Sequence, residues 1–482
     1  MSIDRTDKLR FAVRLPVVGK YLGVLMVVLA ALAAAPLAAA LLLGEPDAAA
    51  RHAAVLGGLL VVGLPLARLA APARLQANEA MAVVALAFVA GSLVMSYPLA
   101  AASASWLDAW FEAVSGITTT GLSLAASVED KPAAFLFARA WLQWFGGLGI
   151  VVLSLALLMY HGAAGRQLME TAFSGEDLVS TTRVYARRIL VVYAALTVAA
   201  ALAGWAATGD GFVALVHAFA AVSTGGFAVY DDSLAAAGRG AAVFIGFAWL
   251  GAVSLPLYHR AWHEGPRALL RDPELRALVL ATALTGFLLW LWAAPGERGW
   301  AEAAQLAMSA QSTTGFSTTN LAALDEASRL TLVGAMLLGG SVGSTAGGFK
   351  LLRLLLMLRL LQLFLARAAA PPHAVLHARL GERRVDEADL GRAALLMALI
   401  VGVVFLSWLA FGAAGYPALG ALFEVASATG TVGLSSGIAR PELEWWLKLV
   451  LCFDMLAGRV EILALLVVLN PGSWFGRRAE RR

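Results

Sequence analysis

The stretch SGITTTGLS, residues 115–123, sets three threonines and a glycine in a row inside a chain that is otherwise strongly apolar. It has three echoes: AVSTGGFA at 221–228, AQSTTGFST at 310–318 and ATGTVGLSS at 428–436. Aligned on Gly121, Gly225, Gly315 and Gly433, each phrase carries a hydroxyl two positions earlier, at Thr119, Ser223, Thr313 and Thr431. The residues between are Thr120, Thr224, Thr314 and Val432. The first and fourth phrases match further upstream, as FEAVSGITTTG against FEVASATGTVG. Each follows a short apolar run (107–115, 212–222, 301–311 and 418–427) that falls short of the ~20 residues needed to cross a bilayer. A longer apolar segment flanks each run on either side. The repeating unit therefore reads as membrane helix, re-entrant short helix with its loop, membrane helix, four times over.

Composition agrees. Of 482 residues, 60% are hydrophobic and 14% charged, with mean hydropathy +0.77, too little polar surface for a soluble domain. The fold class is an all-α polytopic membrane protein with four pseudo-symmetric repeats around one pore. Two additional N-terminal membrane helices, near 17–43 and 54–71, precede the repeats. The expected units are 1–76 for the N-terminal pair, 77–165, 166–262, 263–370 with a broken second helix, and 371–482. The start MSIDRTDKLRFAVR is basic and lacks a trusted cleavage signal, so it reads as retained. The single cysteine, Cys452, excludes an intrachain disulfide and a cysteine-based metal cage.

The net charge of +4 sits in short basic segments between apolar runs, which points to membrane orientation and not to nucleic acid. Arg5, Lys8, Arg10 and Arg14 open the chain, and Arg477, Arg478, Arg481 and Arg482 close it. Similar clusters surround Arg68, Arg187, Arg267 and Arg383. By the positive-inside rule these segments and both termini face the cytoplasm. Acidic pairs such as Glu129 with Asp130 and Asp231 with Asp232 follow the phrases, placing all four phrases near the outer side. HRAWHE sets His259 and His263 four apart, but a third ligand is missing for a metal site.

Irregular backbone is not tolerated against lipid, where its N–H and C=O groups would go unpaired. Four re-entrant loops must then gather together or line water, and a pseudo-fourfold ring does both. Such a ring of backbone carbonyls can replace the hydration shell of a cation. Glycine at each tip permits close approach, and each short helix directs the negative end of its dipole inward. A further interruption, GGSVGSTAGGFK, falls between Leu330 and Leu365. Its Gly339, Gly340, Gly343, Gly347 and Gly348 each cost a continuous helix about 1 kcal/mol relative to alanine. It is not a phosphate-binding loop, because Phe349 separates Gly348 from Lys350 and no hydroxyl residue follows. Arg459 lies inside an apolar segment, where a charge marks function by default.

The four phrases, with GGSVGSTAGGFKLLR (339–353) and AGRVEILALLVVLNPGSW (457–474), resemble the Trk/Ktr/HKT superfamily of potassium transporters, nearest to its TrkH-type branch. The resemblance covers nearly the whole chain; the fourth phrase, GTVGLSSG, is closer to the Ktr branch. It implies potassium uptake across the bacterial inner membrane, K+ being the transported ion and no organic cofactor being held. It implies a selectivity filter at Thr119, Thr120, Gly121, Ser223, Thr224, Gly225, Thr313, Thr314, Gly315, Thr431, Val432 and Gly433. In that superfamily a serine in place of the first filter glycine goes with sodium preference, and Gly121 therefore implies potassium. The glycine-rich stretch would form a gating loop below the filter. Arg459 would face the pore, with Lys350 a weaker candidate for the same electrostatic role. A homodimer and a cytoplasmic TrkA-like nucleotide-binding regulatory ring are the implied partners. The alternative is a sodium-permeable or H+/Na+-coupled cation transporter, built on internal repeats with a coupling site at mid-membrane. A membrane enzyme would need a catalytic cluster of His, Asp, Ser or Cys at one depth, which the chain lacks.

Overall fold

The computed structural model describes residues 13–70, 76–161, 178–293, 299–369, 371, 379–380, 383–384, 387–460 and 462–475. The basic residues of both termini that set the expected orientation lie outside them, Arg14 excepted. Two helices lead the chain, α1 (Leu15–Leu42) and α2 (Pro46–Ala67). They pack along each other, and Gly23 and Gly63 let the backbones close up where a Cβ would meet Leu66, Ala67 or Met26. The first repeat is α3 (Ala77–Leu99), the short α4 (Trp106–Ile117) and α5 (Ala133–His161). The second is α6 (Leu178–Thr208), the short α7 (Gly211–Val222), then α8 (Arg239–Gly251) and α9 (Leu255–Glu264). A turn of helix, α10 (Arg267–Arg271), leads to the third: α11 (Pro273–Trp292), the short α12 (Trp300–Gln311), α13 (Glu326–Leu338) and α14 (Leu351–Ala369). The fourth is α15 (Glu387–Ala413), the short α16 (Ala418–Thr429), α17 (Trp445–Val460) and α18 (Ile462–Leu469), with α19 (Pro471–Phe475) after it. Beyond helices, the described residues hold one two-residue strand pair, Arg379–Leu380 with Arg383–Arg384.

Seven of these helices are long and apolar enough to cross a bilayer, and α8 with α9 makes an eighth span bent by 83°. That bend is a departure from the sequence reading, which gave the second repeat a full second span. Its cause is local: Ser254 and Pro256 follow Gly251, and proline is placed in the first turn of α9. The expected break in the third repeat is present between α13 and α14. It begins at Gly339, whose φ of +68° no β-carbon would share comfortably.

The surface, more than the core, sets the molecule apart from a soluble protein. Leu202, Leu280 and Leu406 point outward and exposed, as a lipid-facing surface requires, while the threonines of the four phrases are buried. Packing closes a circle. The inner helix of each repeat lies against the short helix of the next: α5 on α7, α8 on α12, α13 on α16, and α17 back on α4. Three of these inner helices also approach the short helix of their own repeat closely, at a glycine. A Cβ on Gly146, Gly251 or Gly458 would strike the carbonyl of Ile117, Val222 or Thr429, the last residue of a short helix.

Candidate functional site

Two of the short helices start from a polar side-chain cap, and all four end in the same turn. Ser105 caps α4 by accepting the Asp108 amide at 3.1 Å, and Asp210 caps α7 by accepting the amides of Phe212 and Val213. Asp108 itself meets Lys448 of α17 at 2.6 Å, a buried ion pair that ties the fourth repeat to the first. At the other end of α4, the Thr119 amide donates to Gly116 O at 3.0 Å and the Thr120 amide to Ser115 O at 2.8 Å. This is the two-bond Schellman closure, which needs a left-handed residue just past the helix. The same pair of bonds closes α7 through Thr224 and Gly225, α12 through Thr313 and Thr314, and α16 through Thr431 and Val432.

The left-handed residue is threonine every time, with φ +53° at Thr119, +52° at Thr224, +54° at Thr313 and +50° at Thr431. For a β-branched residue that conformation costs ~1–2 kcal/mol. Four such residues in equivalent places are strain held by the surrounding packing, a mark of functional sites. Two residues on come glycines at φ +90° (Gly121), +78° (Gly226), +80° (Gly315) and +93° (Gly433).

This backbone register corrects the alignment of the second phrase. Gly226, not Gly225, is the partner of Gly121; Thr224 matches Thr119, and Ser223 matches Thr118 at the helix cap. Gly225 takes the place held elsewhere by Thr120, Thr314 and Val432. The position is counted from the end of the short helix, which the sequence left uncertain by one residue where two glycines stand together.

The four turns touch in sequence. A Cβ on Gly121 would overlap the carbonyl oxygen of Gly225, and one on Gly226 the carbonyl of Thr314. A Cβ on Gly315 would overlap the carbonyl of Val432, and one on Gly433 the carbonyl of Thr120, returning to the first repeat. Four glycines against four carbonyls thus form a closed circuit, with four helix C-termini leading into it. Such a ring can hold a cation stripped of its water.

Above the ring, residues that the sequence reading had not assigned hold the chain as it leaves each turn. Glu112 of α4 accepts Ser123 Oγ at 2.6 Å and the Leu124 amide at 2.8 Å, with Arg139 at 3.0 Å on its other oxygen. Glu424 of α16 does the same for Ser435 Oγ and the Ser436 amide, both at 2.8 Å. His217 occupies the matching place on α7, with its Nδ1 2.8 Å from the Val213 carbonyl. The match of FEAVSG to FEVASA was the available signal for both glutamates. Asp231 receives the Val128 amide at 2.5 Å, locking together the loops that follow the first and second turns. That hydrogen bond from Val128 is the main cause holding its carboxyl below the usual carboxylate range.

Below the ring lies the glycine-rich stretch, residues 339–350, pressed against three of the four turns. The Gly347 amide donates to Thr313 Oγ1 at 2.6 Å, and the Gly348 amide to the Gly430 carbonyl at 3.1 Å. Thr345 Oγ1 reaches the carbonyls of Val222 and Gly251, both at 3.0 Å. The loop also stitches into the break of the second repeat: the Ser341 amide donates to Ala252 O, and the Leu255 amide to Gly343 O, both at 3.0 Å. Gly340 abuts Ala252, and a Cβ on Gly347 would strike Thr431 and Gly430. Lys350 ends the loop in a left-handed conformation, φ +71°, with its Nζ on the Ala346 carbonyl. Arg459, buried on α17, donates from Nη1 to the Thr345 carbonyl at 2.7 Å. Among the described residues, its Nε and Nη2 have no hydrogen-bond partner. The expected pore charge is therefore also a tether on the loop. His259 and His263 do pair, with rings 4.5 Å apart, but no cluster of three metal-ligating side chains occurs among the described residues.

Comparison with known proteins follows the same lines. The model of the TrkH family, described as cation transport protein, matches residues 52–294 and 299–472. The chain is 32% identical over 391 residues to the Trk system potassium uptake protein TrkH of Vibrio parahaemolyticus, covering 76% of this chain and 79% of that one. It is 33% identical over 423 residues to the protein of the same name from Halomonas elongata, with 83% and 86% covered. The crystal structure of the potassium transporter TrkH from Vibrio parahaemolyticus superposes with TM-score 0.84 at 26% identity, over 96% of this chain and 100% of that one. This chain therefore belongs to the TrkH family of cation transport proteins, which are membrane transporters and not enzymes.

Proposed function

We propose that this protein takes up potassium ions across the cell inner membrane through the ring of four turns. The observation that carries the reading is the closed circuit of glycines and carbonyls, Gly121 to Gly225, Gly226 to Thr314, Gly315 to Val432 and Gly433 to Thr120. An ion on the axis sheds water and meets oxygen on four sides, while the four short-helix dipoles offset the cost of bringing its charge inward. The filter then consists of Thr119, Thr120, Gly121, Thr224, Gly225, Gly226, Thr313, Thr314, Gly315, Thr431, Val432 and Gly433. Several relatives are named potassium uptake proteins, which supports K+ as the cargo.

The loop 339–350 acts as the gate. It lies against the ring on the side where Arg459 and Lys350 place positive charge, so a cation leaving the filter meets both a plug of backbone and a repulsive field. Opening requires the Gly347–Thr313 and Gly348–Gly430 hydrogen bonds to part. A cytoplasmic TrkA-like nucleotide-binding ring supplies the force for this, and two copies of the chain form the membrane unit, both termini facing the cytoplasm.

The test is growth of a potassium-uptake-deficient bacterial strain on limiting K+, with and without Na+ competition, together with ion flux into proteoliposomes. Wild-type protein is expected to restore growth and pass K+ ahead of Na+. Gly121→Ser is expected to lower that preference by about three- to tenfold, the range of one or two weak interactions. Wild-type protein that passes both ions equally would sink the reading.

A further inference from the structure

The third position of the turn carries a side chain in three repeats, Thr120, Thr314 and Val432, and none in the second, Gly225. In the first and third repeats that side chain braces its own turn. Thr120 Oγ1 lies 2.8 Å from Thr118 Oγ1, and Thr314 Oγ1 lies 2.7 Å from Ser312 Oγ. In the second repeat the space is filled from another helix. Gln143 of α5, fully buried, brings its amide to where a Cβ of Gly225 would be. Its Nε2 donates to the Gly225 carbonyl at 2.5 Å, and its Oε1 accepts the Phe227 amide at 3.1 Å. One side chain from the first repeat thus grips the second turn on both sides of Gly226. Among the described residues, the matching carbonyls of Thr120, Thr314 and Val432 accept no hydrogen bond from the protein.

We propose that Gln143 is a specificity-determining positioning residue of the ring. It fixes the Gly225 peptide and commits that carbonyl to an amide N–H, so the layer offers an ion three free oxygens and one already shared. This rests on the ring being the conduction path. Selectivity in such filters depends on the number and field strength of the carbonyls and on how firmly they are held. Gln143 alters all three at one corner without touching the ion.

The test uses the full-length protein in proteoliposomes and reads the K+/Na+ permeability ratio, which does not change with the fraction of protein correctly folded. Gln143→Glu keeps the acceptor for Phe227 but loses the donor to Gly225. Gln143→Leu loses both. Each is expected to change the ratio by about three- to tenfold, the size of one net hydrogen bond. Gln143→Asn, which keeps the amide one methylene shorter, is expected to fall between these and wild type. Gly225→Thr is expected to stop flux, because its side chain collides with Gln143. Adding Gln143→Ala to it makes room for the threonine and is expected to restore flux with an altered ratio. Ratios matching wild type in the Glu and Leu variants would overturn the inference while leaving the transport reading intact. Wild-type protein with no K+ preference would overturn the transport reading and the inference together.

Discussion

Around the ring, Thr119, Thr224, Thr313 and Thr431 share one backbone conformation, and Gly121, Gly226, Gly315 and Gly433 share another. One layer down, the inner helices diverge. The first, α5, runs on; α8 turns by 83° into α9; α13 stops for the 339–350 loop; α17 carries Arg459. Four unlike sequences are driven to one geometry where each turn must meet its neighbour's carbonyl. Where that requirement ends, each repeat has taken a separate form, and the two broken helices are hydrogen-bonded to each other. On the proposed reading, fourfold likeness belongs to the contact with the ion, and asymmetry to the layer that gates it.

The strongest way to break this contrast is to disturb one corner of the ring. Gly226→Ala puts a methyl into the Thr314 carbonyl and is expected to reduce K+ uptake by at least about tenfold, which needs a barrier increase of only ~1.4 kcal/mol. Gly246→Ala, on α8 with open space around it, is the control and should transport as wild type. Normal uptake by the Gly226 variant would show that the ring is not under the constraint described.

A smaller change is expected from the asymmetric layer. Gly347→Ala wedges the loop away from Gly430 and Thr431, and single-channel recording should show a changed open probability with an unaltered K+/Na+ ratio. A changed ratio with unaltered opening would merge the two layers into one. The least effect is expected in the loops that follow the first and second turns. The Asp231 carboxyl is held below its ordinary range by the Val128 amide, so the loop lock is complete above the ordinary carboxylate range and is lost as pH falls through the lowered value. Asp231→Asn should remove the acid-induced part of any loss of thermal stability and leave transport at neutral pH unchanged. An acid response that survives the substitution would assign it to other groups.

Much of the fold was legible because its signals are local. An apolar run too short to span, followed by hydroxyls and glycine, located all four short helices to within a few residues. The glycine density at 339–348 located the break in the third repeat. The misreadings came from signals that are not local. In STGGF either glycine satisfies the pattern, and only the hydrogen bonds to Ala220 and Ala221 settle which one turns the chain. The bend after Gly251 was written in Ser254 and Pro256, but a long apolar stretch masked them. Gln143 was the least accessible, since a lone polar residue in an apolar helix says nothing of a partner 82 residues away. Arg459 was found as a buried charge, yet its bond to Thr345 required the loop to be in place.

The circuit also constrains how the protein is made. Its last links, Gly433 against Thr120 and Lys448 on Asp108, join residues far apart in the chain, the latter 340 positions. Contacts of such separation form late, since the intervening chain must be ordered first. A nascent chain that has inserted three repeats can make two of the four contacts, Gly121 with Gly225 and Gly226 with Thr314, and leaves the ring open. The fourth repeat supplies the remaining two, Gly315 with Val432 and Gly433 with Thr120, so closure of the ring is a single terminal event. Truncation before residue 418 leaves most of the membrane helices and three of the four turns, but no closed ring.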